Sequence, residues 1–183
     1  MTDLLLIAGP ALVASLYLLV RARRARPSSA RDVPPNAIVV DGSNVMYWAD
    51  DTPRIETVRE VVRYLVAQGF APGVVFDANA GYLIAGRYLH DRDFARLLDL
   101  PAKHVMVVDK GTPADATILA ASRDMEARVV TNDRYRDWVD QHPHLRERGV
   151  LVRGGYRDGR LWLDLEDPQH RRDVQHAAQA ARR

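Results

Sequence analysis

The sequence predicts an α/β domain of three layers, with helices on both faces of a mainly parallel sheet. Two observations lead to this prediction: short apolar segments alternate with helical stretches, and these segments are apolar throughout rather than at every second residue. Strands that are buried on both faces show such continuous runs. The predicted strands are AIVVD (Ala37–Asp41), GVVFD (residues 73–77), HVMVV (residues 104–108) and RVVT (residues 128–131).

Helical stretches fill the intervals between these strands. Apolar residues recur at helical spacing over residues 55–65, between the pair Thr52-Pro53, which favours a helix start, and Gly69, which favours a helix end. Asp91 begins a short helix, and a longer helix covers residues 112–127. Because strands and helices alternate in this way, the strands are expected to run parallel to one another.

The end of the domain has a different pattern. A helix containing Trp138 is predicted after the fourth strand, and a β-hairpin is predicted from residues 149–153 and 160–165 around the turn pair Asp158-Gly159. A polar helix is expected over residues 166–183. The folded domain is therefore placed at residues 36–165.

The first residues predict a transmembrane anchor over residues 1–21. Residues 4–20 contain no charged side chain and would extend about 26 Å as a helix, close to the ~30 Å hydrocarbon core of a bilayer. The arginine-rich segment that follows indicates, by the positive-inside rule, a single-pass protein whose domain lies in the cytoplasm. A cleaved signal peptide would carry its positive charge before the apolar run. A basic linker with Pro and Ser occupies residues 22–35.

Composition excludes several kinds of chemistry. The chain has no cysteine, which removes disulfides, thiolate zinc sites, cysteine nucleophiles and iron–sulfur clusters. Five of the 26 Lys and Arg residues and one of the 24 acids precede Asp32, so the rest of the chain has 21 bases and 23 acids. The domain is not generally basic, and nucleic acid binding would need local patches or a bound metal.

Aspartates follow the predicted strands at their carboxyl ends. Asp41 and Asp77 end two strands, Asp133 lies just beyond a third, and Asp115 lies near the start of a helix. In parallel sheets these ends share one edge, where ligands bind. Grouped carboxylates repel one another unless a cation intervenes, and Mg²⁺ or Mn²⁺ prefers oxygen ligands. A metal held in this way can activate water against a phosphodiester.

Each of these acids also has a purely structural interpretation. Asp41 could simply form a turn with the Gly, Ser and Asn that follow it. Asp115 could complete a capping box with Thr112, and Asp133 could cap the next helix. The residues taken singly leave both interpretations open.

Four motifs together resemble the NYN domains of the PIN-like nuclease superfamily, most closely the Regnase-type ribonuclease domain. The motifs lie in the family's order within residues 36–155, and they are IVVDGSNVMYW, VVFDANAGY, KGTPADATILAAS and ARVVTNDRYRDW. The resemblance implies a PIN-like fold. It also implies endonucleolytic cleavage of RNA with Mg²⁺, or Mn²⁺, bound by a cluster of aspartates.

The resemblance also implies a role for each acid. Asp41, Asp115 and Asp133 would bind the metal directly or through water, and Asp137 would bind it through water or support the ligands. Asp77 is a weaker candidate for the same site.

Further residues are implied around the metal. Asn44 would belong to the catalytic set and orient a water molecule or a carboxylate by hydrogen bonding. Lys110, Arg134 and Arg136 are candidates for binding RNA phosphates. RNA is the expected partner, residues 4–20 would contact the lipid bilayer, and the sequence leaves homo-oligomer formation open.

The chain departs from the family's pattern at two points. Regnase-type domains often have two adjacent acids at the helix start, whereas Ala114 precedes Asp115 here, so the number of metal ions stays open. Without cysteine, the chain also lacks the CCCH zinc finger of the animal members. Two alternatives of other classes remain: a catalytically weak, membrane-tethered RNA-binding scaffold, and a phospho-receiver-like signalling domain, for which Asp109-Lys110 offers a partial match. Metal–carboxylate chemistry alone also leaves a phosphatase or a DNA nuclease open.

Overall fold

The computed structural model describes residues 33–165 of the chain. The predicted anchor (residues 1–21), most of the predicted linker and the predicted C-terminal helix (residues 166–183) lie outside the described residues. Within residues 33–165, none of the helices has the length and apolar character that crossing a membrane requires. The interpretation of both ends of the chain therefore stays a prediction.

Strands and helices alternate through most of the described part of the chain. In order, the elements are β1 (Ala37–Asp41), α1 (Gly42–Val45), α2 (Ile55–Ala67), β2 (Ala71–Phe76), α3 (Ala80–Ala85), α4 (Asp91–Leu98), β3 (Val105–Val107), α5 (Ala114–Asp124), β4 (Arg128–Val130), β5 (Leu151–Val152), β6 (Gly154–Arg157) and β7 (Arg160–Leu163). Short 3-10 helices cover Ala102–His104, Arg136–Trp138 and Pro143–Arg146.

The first five strands form one sheet with the order β3-β2-β1-β4-β5. All of its neighbouring strands are parallel, which confirms the predicted parallel sheet. The carboxyl ends of β1 to β4 therefore lie along one border of the sheet, which we call the carboxyl edge. Receiver domains have the strand order 2-1-3-4-5, so the phospho-receiver alternative is wrong.

Side chains alternate between the two faces of this sheet and build two cores. On one face, Val39 and Val129 pack with Ile118 and Leu119 of α5. On the other face, the strands pack with α2 and α4 through a larger buried cluster that contains Val40, Val58, Val61, Leu65, Phe76 and Phe94. Each such side chain contributes about 1.5–3 kcal/mol by leaving water. The three-layer prediction is confirmed.

Three local predictions were wrong in detail. Helix α2 begins at Ile55, because Arg54 has the extended backbone of the residue that precedes a helix. The segment that follows β4 forms only the 3-10 turn Arg136–Trp138 rather than a full helix. Strand β5 joins the parallel sheet instead of the hairpin, and the hairpin is formed by β6 and β7 around the predicted turn pair Asp158-Gly159.

Candidate active site at the carboxyl edge

Asp41 ends the central strand and begins the next helix. Its Oδ1 accepts a hydrogen bond of 3.0 Å from the backbone N–H of Asn44, so it caps α1. The helix can begin at once because Gly42 follows: a Cβ at this glycine would lie 2.5 Å from the ring of Phe76. The turn interpretation of Asp41 is thus correct, but it accounts for one of the two carboxylate oxygens.

The second oxygen of Asp41 accepts hydrogen bonds from two hydroxyl groups in the segment that follows β4. Thr131 Oγ1 and the phenol of Tyr135 each donate a hydrogen bond of 3.0 Å to Asp41 Oδ2. All three side chains are buried, and Asp41 is only 6% exposed. Neutral donors orient this carboxylate without cancelling its negative charge.

Burial is the main influence on the proton affinity of Asp41. Loss of water contact raises the pKa of Asp41 to about 6, and the nearby charge of Asp115 adds to this, while the three hydrogen bonds oppose it. Burial and the negative charge of Asp41 also raise the pKa of Tyr135, so the phenol stays protonated and remains a donor. The pair therefore presents a carboxylate that a cation would stabilise.

Asp115 reaches the carboxyl edge from the first turn of α5. Its Oδ2 accepts a 3.2 Å hydrogen bond from the indole N–H of Trp138. Pro113, not Thr112, precedes the helix, and no side chain caps it, so the capping-box interpretation is wrong. Partial burial raises the pKa of Asp115, and the charges of Asp133 and Asp77 raise it further.

Asp133 lies in the loop after β4 and is exposed. Its Oδ1 accepts a 2.6 Å hydrogen bond from the backbone N–H of Tyr135, and its own N–H donates to Thr131 Oγ1 at 3.0 Å. Thr131 thus connects Asp41 with Asp133. Tyr135 adopts a left-handed backbone (φ 47°), which turns its side chain toward Asp41. A bulky residue rarely adopts this conformation, and such residues cluster at functional sites.

Asn44 connects helix α1 with the loop that follows β4. Its side-chain Oδ1 accepts hydrogen bonds from the backbone N–H of Asn132 at 2.9 Å and from the indole of Trp48 at 2.8 Å. Both hydrogen bonds to this amide oxygen therefore come from the protein itself. The predicted role of Asn44 in orienting a water molecule or a carboxylate would fall to its NH₂ group.

The remaining predicted acids are placed less tightly. Asp77 follows β2, and its backbone N–H donates to Ser43 Oγ at 2.8 Å, while its charge acts on Asp115. Asp137 is exposed in the 3-10 turn, and no hydrogen bond or ion pair within residues 33–165 involves its carboxylate. The charge of Asp77 thus acts on the same site as Asp115. The role of Asp137 stays a prediction.

The three predicted phosphate-binding residues are all exposed. Arg134 lies in the loop that carries Asp133, and Arg136 begins the 3-10 turn that follows it. Lys110 lies in the turn between β3 and α5. Their positions beside the carboxyl edge are compatible with contacts to a bound strand, and their role stays a prediction.

The oxygen donors at the carboxyl edge suit the divalent cation that the family resemblance implies. Within residues 33–165, no three Asp, Glu or His side chains lie close enough to enclose an ion by themselves. Electrostatic coupling nevertheless links Asp115 with Asp41, Asp77 and Asp133. Mg²⁺ commonly uses one or two carboxylates and retains several waters, so a partly hydrated ion fits this donor set.

Sequence reasoning missed three residues that hydrogen-bond these acids, Thr131, Tyr135 and Trp138, and a fourth, Arg153, on which the charge of Asp133 acts. Three of them lie in or beside the motif TNDRYRDW, whose polar and aromatic residues were the available signal. Arg153 follows the two-residue strand β5, and its backbone C=O accepts from Asp164 N–H. Nothing in the sequence around Arg153 indicates that it lies within electrostatic reach of Asp133.

A family model matches most of the chain. Residues 35–174 match the Zc3h12a-like ribonuclease NYN domain. The chain belongs to this family of PIN-like nucleases, which are hydrolases that act on RNA. No curated protein matches the sequence.

Solved structures share the fold. The chain is similar to the crystal structure of nuclear proteinaceous RNase P 2 (PRORP2) from A. thaliana, with a TM-score of 0.55, 18% identity, and coverage of 73% of this chain and 30% of that chain. A second structure, of Arabidopsis thaliana nuclear protein-only RNase P 2, gives a TM-score of 0.52 and 20% identity, covering 87% and 36%. The chain thus spans about a third of those chains. At this identity the likeness concerns the fold alone.

Proposed function

We propose that the domain is a metal-dependent endoribonuclease that cleaves RNA phosphodiester bonds at the carboxyl edge. The observation that carries the proposal is the pairing of Asp41 with neutral donors. Its carboxylate accepts from two hydroxyls and one N–H and lies near the charge of Asp115. Among residues 33–165 it forms no ion pair with Arg or Lys. A buried carboxylate without a cationic partner is unfavourable unless a ligand supplies the positive charge.

In this proposal Asp41, Asp115 and Asp133 bind Mg²⁺ or Mn²⁺, with Asp137 and Asp77 as further contributors. The ion would activate a water molecule and neutralise charge on the scissile phosphate. The residues of the chain supply orientation: Thr131 and Tyr135 fix Asp41, and Trp138 fixes Asp115.

The positive side chains around the site would hold the RNA backbone. Arg134, Arg136 and Lys110 are exposed beside the carboxyl edge. Guanidinium groups bind phosphate through two parallel hydrogen bonds, which positions the strand without reading its bases. The proposal therefore names the substrate as RNA and does not assign a sequence preference.

Cleavage assays test the proposal directly. The full chain is incubated with end-labelled single-stranded RNA, double-stranded RNA and DNA, in Mg²⁺, in Mn²⁺ and in EDTA. Internal cleavage of RNA that EDTA abolishes is the expected result. Binding of RNA without cleavage in either metal would instead support the catalytically weak scaffold.

We also propose that residues 4–20 anchor the protein in a membrane, with the domain in the cytoplasm. The support is the uncharged length of this segment and the arginines that follow it. Membrane fractionation of the full chain and of a variant lacking residues 1–26 tests the proposal. Recovery of the shortened variant in the membrane fraction would contradict it.

A further inference from the structure

The β6–β7 hairpin presents one face to the protein and one to solvent. Its strands pair residue by residue, from Gly154 opposite Leu163 to Arg157 opposite Arg160. Asp158 and Gly159 close it with positive φ angles of 51° and 72°, the geometry of a two-residue hairpin turn. Because side chains alternate along a strand, each face of the hairpin carries a distinct set.

The inner face is fixed to the domain. Leu161 and Leu163 pack on the larger core, and a Cβ at Gly154 would lie 2.4 Å from both Leu163 and Trp48. The side chain of Asn132 forms two hydrogen bonds with the backbone of Gly154. It donates to the C=O at 2.9 Å and accepts from the N–H at 3.3 Å. The hairpin is thus attached to the same loop that carries Asp133.

The outer face carries a row of positive charge. The 2.8 Å hydrogen bond from Asp164 N–H to Arg153 C=O extends the ladder, so Arg153 shares a face with Arg157. We call this surface the arginine face, and its members are Arg153, Arg157, Arg160 and Trp162. None of these arginines forms an ion pair among residues 33–165, and Arg157 and Arg160 are exposed.

One end of the arginine face meets the carboxyl edge. Arg153 is half-buried, and its guanidinium lies within the electrostatic reach of Asp133 and of Arg134. Burial and the positive charge of Arg134 lower the pKa of Arg153, whereas Asp133 opposes this. Two guanidinium groups that repel each other beside an anion-processing site would be stabilised by a bound phosphate.

We propose that the arginine face binds the phosphate backbone of single-stranded RNA on one side of the cleavage site, with Arg153 nearest the scissile phosphate. This inference rests on the proposed ribonuclease function and adds a substrate track that the family motifs do not contain. From Arg153 to Arg157 the strand extends about 13 Å. That length exceeds the spacing of successive phosphates along a nucleic acid strand.

Single-stranded RNA suits this surface better than a duplex does. The guanidinium of Arg157 lies 4.2 Å from the ring centre of Trp162, so a flat cationic and aromatic pair is held on the face. Bases that are not paired can stack on such groups, while the neighbouring arginines bind phosphates. Asp164, opposite Arg153, and Asp158, in the turn, limit the positive surface at its two ends.

The test compares two double variants of the full chain. Arg157→Ala/Arg160→Ala removes two charges from the arginine face. Arg63→Ala/Arg123→Ala removes two exposed charges elsewhere, which pair with Asp99 and Asp124. Binding of a fluorescent single-stranded RNA is followed by anisotropy in EDTA, over a series of salt concentrations.

We expect the hairpin variant to bind about tenfold more weakly, with the slope of log affinity against log salt reduced by about 1.4, or 0.7 for each lost phosphate contact. Arg157→Lys/Arg160→Lys should restore most of that slope, and the Arg63/Arg123 variant should match the wild type. Equal RNA affinity and salt slope for the wild type and the hairpin variant would overturn the proposal. So would a loss of binding to phosphatidylglycerol vesicles with unchanged RNA binding, because the face would then serve a membrane surface.

Cleavage measured on the same variants separates this inference from the proposed function. In Mg²⁺ the hairpin variant should have a raised KM for RNA and a kcat within about twofold of the wild type. Arginine-dependent binding by a protein that does not cleave would contradict the ribonuclease proposal and leave the track supported. Cleavage with unchanged KM and unchanged binding would overturn the track alone.

Discussion

Aspartates in two regions of this domain have opposite kinds of partner. Away from the carboxyl edge, acids pair with arginines: Asp99 with Arg63 at 2.9 Å, and Asp140 with Arg146 at 3.0 Å. At the carboxyl edge, Asp41 and Asp115 accept hydrogen bonds from hydroxyl, indole and backbone groups. The arginines neutralise the negative charge of the surface aspartates, whereas the neutral donors at the carboxyl edge leave the charge of Asp41 and Asp115 uncompensated.

The comparison indicates which aspartates a bound cation would stabilise. Exposed ion pairs contribute about 0–1 kcal/mol each, so the surface aspartates matter little to folding. A buried carboxylate oriented by neutral donors is unfavourable when empty and favourable once a cation binds. Substitutions at the carboxyl edge should therefore affect metal binding and cleavage, whereas matched substitutions elsewhere should not.

Substitution of Asp115 by Asn should have the largest effect. It removes a proposed metal ligand while preserving shape, and the rate of RNA cleavage is expected to fall about 1000-fold or more. Asp99→Asn makes the same chemical change at an ion pair remote from the site and should keep the wild-type rate. Near-native activity of Asp115→Asn, with its circular dichroism unchanged, would remove Asp115 from the site.

The pH dependence of stability should differ between the wild type and Asp41→Asn. The pKa of Asp41 is raised to about 6 in the folded state, so folding favours its protonated form. The stability that the wild type gains from holding Asp41 protonated is complete below about pH 4 and is lost as the pH rises through 6. The metal-free Asn variant should therefore exceed the wild type in free energy of unfolding at pH 7.5, by about 3 kcal/mol at most.

Urea denaturation in EDTA between pH 4.5 and pH 7.5 measures this difference. The two proteins should converge toward the acid end of the range, and added Mg²⁺ should narrow the gap at pH 7.5. An Asn variant that is less stable than the wild type at pH 7.5 would show that the charge of Asp41 is already compensated within the fold.

Tyr135→Phe should have an intermediate effect. It removes one of two hydroxyl donors to Asp41 Oδ2 and leaves Thr131 in place. Loss of such a supporting hydrogen bond commonly costs 10–100-fold in metal affinity or activity, so the Mg²⁺ concentration for half-maximal cleavage should rise about tenfold. Tyr156→Phe is the matched control, because the phenol of Tyr156 donates to Glu60 instead.

Trp138→Phe should have the smallest effect. The ring remains, but the 3.2 Å hydrogen bond to Asp115 is lost. A hydrogen bond to a charged group contributes about 1.5–3 kcal/mol to stability. Because the carboxylate of Asp115 itself is kept, only a fall of a few-fold in kcat is expected at saturating Mg²⁺. A change in thermal stability with no change in kcat would assign Trp138 a packing role only.

The sequence predicted the sheet because its strands are apolar throughout, as in AIVVD and GVVFD. It placed Asp41, Asp77 and Asp133 at one edge for the same reason, since parallel strands end together. It could not locate Tyr135 beside Asp41, because that contact depends on a left-handed backbone at a tyrosine. Nor could it place Arg153, whose neighbours depend on β5 joining the sheet rather than the hairpin.

Binding of Mn²⁺, followed by electron paramagnetic resonance of the free ion, tests the central claim most directly. The wild type and Asp99→Asn should bind Mn²⁺ equally at pH 7.5, and both Asp41→Asn and Asp115→Asn should bind at least tenfold more weakly. Equal Mn²⁺ affinity in all four proteins would contradict the account, because the carboxyl edge would then retain its negative charge for some purpose other than holding a metal ion.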